Sequence, residues 1–437
     1  MAVHPDPRPL TAADPSLEAI APGLSRVYPL GSRINAAGRL EVGGCDTLEL
    51  AREFGTPAYV VAEDDIRARA RAFRAAMAAQ TDDFDILFAS KAFPCVAAYR
   101  LLAAEGLACD VASGGELHLA LRGGFDPARI YLHGNAKSDA ELVAALDAGV
   151  GQIVIDALDE IPRLAALLDG RAQRVLLRVT PGIKPSTHDF ISTGQLDSKF
   201  GMPLDVAREA ITLVQATAGL ELIGLHMHIG SQIFELDSFR RSIEQIARLG
   251  DFPVYDLGGG LGVAYTAADD PPSIEAYVEA KVSAADAALG AGKRLLIEPG
   301  RSLVANAGIT LYSVQSVKRG VSTYVAVDGG MSDNLRPMLY GAGYEAAIAD
   351  RLGPGGERCH VAGKHCESSD IIVRDVELVD PAPGDILVTP ATGAYGHAMA
   401  NNYNGVPRPP VVFCRDGDAR VVVRRETFDD LVVRDVS

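Results

Sequence analysis

The chain has 437 residues, 48% hydrophobic and 22% charged, with 57 acidic against 41 basic side chains and a formal net charge of −16. That length exceeds one ordinary core, so two domains are expected, with a barrel of about 250 residues able to count as one. So acidic a chain disfavours nucleic acid and anionic membranes as partners, since both call for a basic face, and favours a small molecule.

Six cysteines (Cys45, Cys95, Cys109, Cys359, Cys366 and Cys414) occur without a CxxC pair or a regular framework. They read as a reduced intracellular set, neither a disulfide scaffold nor a metal site. The opening MAVHPDPRPLTAADPS has no basic start followed by an apolar core, and no stretch reaches the roughly 18 apolar residues of a membrane span. The expected location is the cytoplasm.

In chain order, residues 1–30, with Pro5, Pro7, Pro9 and Pro15, read as an N-terminal extension, disordered or draped across a partner. Residues 31–56 contain the short run GRLEVGG (38–44), whose character matches a β domain that would then draw on both ends of the chain. DDIRARARAFRAAMAAQ (64–80) predicts a helix that caps the barrel bottom.

Between 57 and 304 short apolar runs recur, each followed by a polar or glycine turn and usually by an alanine- and leucine-rich helical stretch. They are FDILFAS (84–90), LACDVAS (107–113), IYLHG (130–134), QIVID (152–156), RVLLRV (174–179), LIGLHMH (222–228), VYDLGGG (254–260) and RLLIEPG (294–300). The first five begin 22 or 23 residues apart, enough for a strand, a helix and two short loops. Strands buried on both faces are continuously apolar in this way. Eight such units predict a closed (β/α)8 TIM barrel, with an open doubly wound sheet as the alternative. Residues 305–437 change to valine-rich alternating segments such as STYVAVDGG and GDILVTPA, which predict a C-terminal antiparallel β-barrel or sandwich domain.

Chemistry in such barrels collects at the C-terminal strand ends. There stand Lys91, Asp110, Ser113 to Glu116, Arg178, His228, Ser231, the glycines 258, 259 and 260, and Glu298, Gly300 and Arg301. Singly each has an ordinary structural reading: a solvated lysine, a hydrogen-bonding histidine, a tight glycine turn. Together they suit one chemistry. A lysine amine holds an aldehyde as a Schiff base; glycines, a serine and an arginine cradle a phosphate; a carboxylate keeps a ring nitrogen protonated. That set describes pyridoxal 5′-phosphate. The stretch VAGKHCESSDII (361–372) is harder to place, because Cys366 on its own reads first as a turn residue and second as a metal ligand, with nucleophile and proton donor also open.

The successive motifs FASKAF, CDVASGGEL, HGNAKS, RVTPGIKPSTHDFISTGQLDSKFGM, GLHMHIGSQI, DLGGGLG, EPGR, VDGGMSDNLRPMLYGAGY, GKHCESSDII and GAYGHAMANNYN resemble those of diaminopimelate decarboxylases, of the alanine-racemase-like class of pyridoxal phosphate enzymes. The resemblance runs in order over roughly residues 45 to 430. It implies that Lys91 holds the cofactor and that His228 stacks on its ring. Ser231, Gly258, Gly259, Gly260 and Arg301 would surround the phosphate, with Asp110, Arg178, Pro299 and Gly300 also on the cofactor. Glu298 would meet the ring nitrogen. Arg336 and Tyr340 would hold the distal carboxylate of the substrate, Glu367 its distal ammonium, and Tyr395 both cofactor and substrate. Arg301 would be divided between phosphate and substrate, and Cys366 would be the proton donor.

The implied reaction turns meso-2,6-diaminoheptanedioate into L-lysine and carbon dioxide, the last step of lysine biosynthesis, in a homodimer whose sites are completed by the partner's CES loop. Arg336 argues against an ornithine- or arginine-type substrate. A decarboxylase for another amino acid with a distal carboxylate, and a non-catalytic protein-binding relative, are the alternatives. Two departures from the family pattern stand beside functional residues: SKAF, where many relatives have Asn after Ala, and CESSD, where Gly commonly follows the first Ser.

Overall fold

The computed structural model describes residues 21–183 and 198–436. The eight apolar runs become the strands Phe84–Ala89, Ala108–Val111, Ile130–Leu132, Gln152–Ile155, Gln173–Arg178, Leu220–His226, Val254–Asp256 and Arg294–Ile297, closed in chain order into one barrel. Every neighbouring pair is parallel, and the eighth strand pairs with the first.

Alternation along each strand explains why both faces had to be apolar. Outward residues such as Ile86 and Phe88 join the large core beneath the helices. One inward residue from each strand (Leu87, Ala108, Tyr131, Val154, Leu176, Ile223, Val254 and Leu296) builds a separate plug inside the barrel. Above that plug the inward positions turn polar, and there the site begins.

Local signals place the outer helices. Asp139–Ala148 starts with a reciprocal cap between Ser138 and Glu141 and ends at Gly149 with φ of 72°. The helix Glu63–Ala78 does not close the barrel bottom as its position before the first strand suggested. It packs in the outer ring between Ile274–Leu289 and Val96–Ala104, where Phe73 meets Tyr277 edge-on. The eighth strand is followed only by the four-residue helix Arg301–Val304, so the ring needs a helix from elsewhere to cover the gap.

The second domain is a nine-stranded sheet, and it is mixed rather than antiparallel. Thr323–Val327 runs parallel to Glu357–Ala362, and Ala58–Ala62 parallel to Val411–Arg415. Antiparallel neighbours come from short hairpins; here the chain leaves Val327 for the site-forming helix Arg336–Tyr340 and re-enters in its original direction. Ala58–Ala62 also moves the boundary of the barrel unit, since it lies between Gly308–Arg319 and Val411–Arg415 in the sheet. The earlier segment forms its own small sheet (Arg33–Ile34, Leu40–Val42, Cys45–Asp46), tied to the β domain by Leu40 N–H donating to Ala349 O and Gly417 N–H to Gly43 O.

Of the expected N-terminal extension, residues 1–20 lie outside the described residues. Residues 21–30 pack down: Val27 and Tyr28 are buried, and Leu30 N–H donates to Asp65 at 2.7 Å. Among the described residues no helix is long and apolar enough to cross a membrane.

Candidate active site

A cleft opens at the C-terminal ends of the barrel strands, under the β domain. Lys91 projects into it from the single helical turn Ser90–Ala92 that follows the first strand. That turn is anchored because Ser90 Oγ donates to Glu116 Oε2 at 2.9 Å, and the same oxygen accepts the Ala112 N–H at 2.7 Å. His228, two residues past the sixth strand, also lines the cleft, and its Nδ1 accepts the Gly259 N–H at 3.2 Å. Burial and then the charge of Lys91 push the His228 pKa well below its ordinary value, so a neutral imidazole faces the cavity.

The glycine turn is a steric requirement. A Cβ on Gly258 would lie 2.2 Å from Met227 O, and one on Gly259 would lie 2.2 Å from Glu298 O. Gly258 and Gly260 have φ of 64° and 112°, where side chains are strained. Gly260 lines the cleft beside Ser231, Gly300 and Arg301. Arg301 donates to Ser231 Oγ through Nε at 3.1 Å and Nη2 at 2.8 Å, and through Nη1 to the Tyr265 hydroxyl. These groups make a ready cradle for a phosphate.

Behind the cleft lies a layer of buried charge. Nε2 of His133 and of His226 approach Glu298 Oε1 to 3.2 and 3.3 Å. Burial works against the Glu298 charge and also pushes the His226 and His133 pKa values down, yet the attraction between them and the carboxylate holds Glu298 well below its usual range. Asp110 and Asp256 go the other way: burial and then the Glu298 charge push both well above theirs. Among these three clustered carboxyl groups the charged form is thus favoured on Glu298 and disfavoured on Asp110 and Asp256. His133 and His226 face Glu298 Oε1 as charge partners, and the oxygen keeps no well-aligned hydrogen bond within the protein. A protonated ring nitrogen would supply such a donor, so amine, carboxylate and cradle together fit a phosphorylated pyridine aldehyde.

Arg178 and Asp110 lie in that buried layer rather than on the cleft wall, with Arg178 Nη1 3.5 Å from Asp156 and its guanidinium 4.5 Å from the Phe200 ring centre. Pro299 supports the first strand end, its carbonyl accepting the Ala89 N–H at 3.2 Å. Much of the motif spanning 178–202, residues 184–197, lies outside the described residues.

On the outer side, Tyr395 lines the cleft beneath the Arg301 guanidinium, 4.8 Å from its ring centre. Its φ of 61° is unusual for a tyrosine, and its N–H donates to Ala92 O at 2.8 Å, locking the β-domain turn onto the Lys91 turn. Arg336 is buried, stacked 4.3 Å over the Tyr265 ring and bonded to the Tyr344 hydroxyl. Tyr340, at the end of the same short helix, is half-buried and not on the cleft wall.

Cys366 and Glu367 are exposed and do not line this cleft. Their loop is built, not loose. Asp370 accepts the His365 N–H at 3.0 Å, Asn404 Oδ1 accepts the Cys366 N–H at 3.1 Å, and His365 stacks on Tyr403.

Sequence reasoning missed His133, His226, Tyr265 and Tyr344. The two histidines stand at strand ends like the residues that were found, so the strand-end rule was signal enough. The tyrosines carry no local signal, because their role comes from the two arginines they stack against.

With this geometry in place, comparison with known proteins is informative. Residues 63–305 match the family model described as the pyridoxal binding domain of pyridoxal-dependent decarboxylases. The chain is 46% identical to the diaminopimelate decarboxylase of Bacillus subtilis, over 93% of this chain and 97% of that one. It is 47% identical to that of Actinosynnema pretiosum, over 94% and 95%. Among solved structures, diaminopimelate decarboxylase from M. jannaschii in co-complex with L-lysine superposes with a TM-score of 0.87, at 32% identity over 93% of this chain and 98% of that chain. In sequence, in fold and in the closed parallel barrel with its mixed β domain, this chain belongs to the diaminopimelate decarboxylase family.

Proposed function

We infer that this chain is a carboxy-lyase that converts meso-2,6-diaminoheptanedioate to L-lysine and carbon dioxide with pyridoxal 5′-phosphate as cofactor. The observation that carries the reading is one cleft in which Lys91 faces the ionised Glu298 and the Ser231–Arg301 cradle. When bound, the cofactor supplies the electron sink for the pair left on carbon as the carboxylate departs.

The chain's own residues do the rest. Lys91 is the attachment point, and Ser231, Gly260 and Arg301 hold the phosphate. Glu298 holds a proton on the ring nitrogen, and its charge, favoured over that of Asp110 and Asp256, is preorganised for that task. His228 presents its neutral ring to one face. Arg336, stacked between Tyr265 and Tyr344, receives the distal carboxylate, and Tyr340 and Tyr395 complete the substrate side.

The proton that replaces carbon dioxide on the α-carbon comes from a thiol, and Cys366 is the exposed one among the six cysteines. Because Cys366 and Glu367 stand outside their own cleft, the reading includes a homodimer in which each loop completes the neighbouring site. The partner subunit's Cys366 then donates the proton, and the partner subunit's Glu367 meets the distal ammonium. A cytoplasmic location suits the six free thiols.

Two measurements test this. The cofactor-loaded protein is offered the meso, D,D and L,L isomers, ornithine and arginine, and carbon dioxide and product are measured. L-Lysine formed from the meso isomer in preference supports the reading, and absence of lysine from every reaction refutes it. Mixing Lys91→Ala with Cys366→Ala chains, each inactive alone, restores up to about one quarter of normal activity if sites are shared between two subunits. No recovery, with subunit exchange verified, refutes the shared site.

A further inference from the structure

One fully buried amine has no part in the chemistry above, and burial pushes its pKa down to about 7. Lys281, on the helix Ile274–Leu289, has no exposed surface. Burying an ammonium is costly unless it is well paired. Its hydrogen-bond acceptors here are three successive backbone carbonyls: Nζ donates to Leu257 O at 2.7 Å, Gly258 O at 2.6 Å and Gly259 O at 3.3 Å. The three contacts match the three N–H donors of the ammonium, the form that these carbonyls favour against burial.

The setting is built around that contact. Tyr277 lies four residues earlier on the same helix face, and its hydroxyl donates to Gly258 O at 3.3 Å. The ammonium lies 4.5 Å from the Tyr277 ring centre and 4.7 Å from that of Phe239, and these rings meet edge-on at 5.3 Å. On the other side of the turn, the Gly258 N–H donates to Asp256 Oδ1 at 2.9 Å and the Gly259 N–H to His228 Nδ1 at 3.2 Å. The carbonyls of Leu257, Gly258 and Gly259 meet the helix through Lys281, Gly258 O also accepting the Glu298 N–H at 3.1 Å, while the Gly258 and Gly259 N–H groups meet barrel side chains, so three consecutive peptide groups are held in one orientation. Glycines are free to turn either way, so some outside force must choose.

We propose that Lys281, seconded by Tyr277, is a positioning residue that holds the 257–260 turn in the shape that receives the cofactor phosphate. It acts from behind the turn, through the backbone. The inference rests on the reading of this cleft as a pyridoxal phosphate site and deepens it, because phosphate recognition then depends on a helix that never touches the ligand.

The test is binding, not turnover. Apo-protein is titrated with pyridoxal 5′-phosphate and with pyridoxal, and inorganic phosphate is used as competitor, for the wild type, Lys281→Met and Tyr277→Phe. The expected result is a 10- to 100-fold loss of pyridoxal phosphate affinity in Lys281→Met, with pyridoxal affinity within about twofold of wild type and weaker competition by phosphate. Tyr277→Phe keeps the ring and shifts the same ratio by about two- to fivefold. A folded Lys281→Met that keeps the wild-type ratio, or loses both affinities equally, overturns the proposal. Should that variant fail to fold, an unchanged ratio in Tyr277→Phe overturns it. A wild type without preference for the phosphorylated form overturns the functional reading as well, which separates the two failures.

Discussion

Arg301 and Ser231 are joined by a two-pronged hydrogen bond, Nε at 3.1 Å and Nη2 at 2.8 Å to the same hydroxyl oxygen, linking the eighth strand's loop to the sixth's. The third guanidinium nitrogen is taken by the Tyr265 hydroxyl. The resemblance left Arg301 divided between phosphate and substrate, and we propose from its fork onto Ser231 that it serves the phosphate side. Arg301→Lys keeps the charge but loses the fork, and charge-assisted bonds are worth about 1.5–3 kcal/mol. Cofactor affinity, followed by absorbance on titration of apo-protein, is expected to fall roughly 10- to 100-fold. An unchanged affinity would show that the fork serves something else.

In the buried set of Glu298, Asp110 and Asp256, the charged form is favoured on Glu298 and disfavoured on the two aspartates. Glu298→Gln preserves shape and removes that charge. Turnover should drop about 10²- to 10³-fold, while cofactor retention changes less than about tenfold. Comparing steady-state rates with the visible absorbance of the loaded variant distinguishes the two, and equal losses would contradict the assignment.

Gly259 has backbone angles open to other residues, but a Cβ there would press 2.2 Å from Glu298 O, a main-chain atom that cannot swing aside. Gly259→Ala is expected to cost about 1–3 kcal/mol and to loosen the cofactor. Gly115→Ala is the control, since its Cβ meets nothing nearer than Ser113 Oγ at 3.8 Å. Thermal melts of both variants check this; a Gly259→Ala protein as stable as the control rules out the steric account.

His397 packs edge-on against Phe93 and Tyr59. Burial and then the Arg408 charge lower its pKa to about 4, from an ordinary 6.5. Between those values the unfolded chain binds the extra proton and the folded chain does not, so stability falls as pH falls from 6.5 toward 4. The ring is partly exposed, so the effect at pH 5 is on the order of 1 kcal/mol. His397→Phe should lose less stability than wild type between pH 7.5 and 5 in matched thermal melts. Parallel losses would place the acid sensitivity elsewhere.

The fold was legible wherever burial is written into local composition. Barrel strands are covered on both faces, so their runs are unbroken and evenly spaced, and the catalytic candidates Lys91, His228, Glu298 and Arg301 follow from where those runs end. Ala58–Ala62 shows the limit. AYVVA is buried at every position, the signature of a barrel strand, yet it lies at the centre of the other sheet. Composition reports that a strand is covered, not by what. The parallel pairings of the β domain were hidden for a related reason: strand direction depends on the path the chain takes between strands, here through the helix carrying Arg336.

By itself, then, the sequence determined the number and order of the barrel strands, the change to a β domain, and which reactive side chains stand at the barrel mouth, because each depends on neighbours a few residues away. Only the tertiary structure decided what those side chains meet. It brought Ser231 to Arg301, set His133 and His226 against Glu298, stacked Tyr265 between two arginines and turned Lys281 inward onto the glycine carbonyls. Each of these depends on residues tens of positions apart being packed out of water together, where charges and carbonyls must find one another. It also left Cys366 facing outward, away from the cleft its own chain builds.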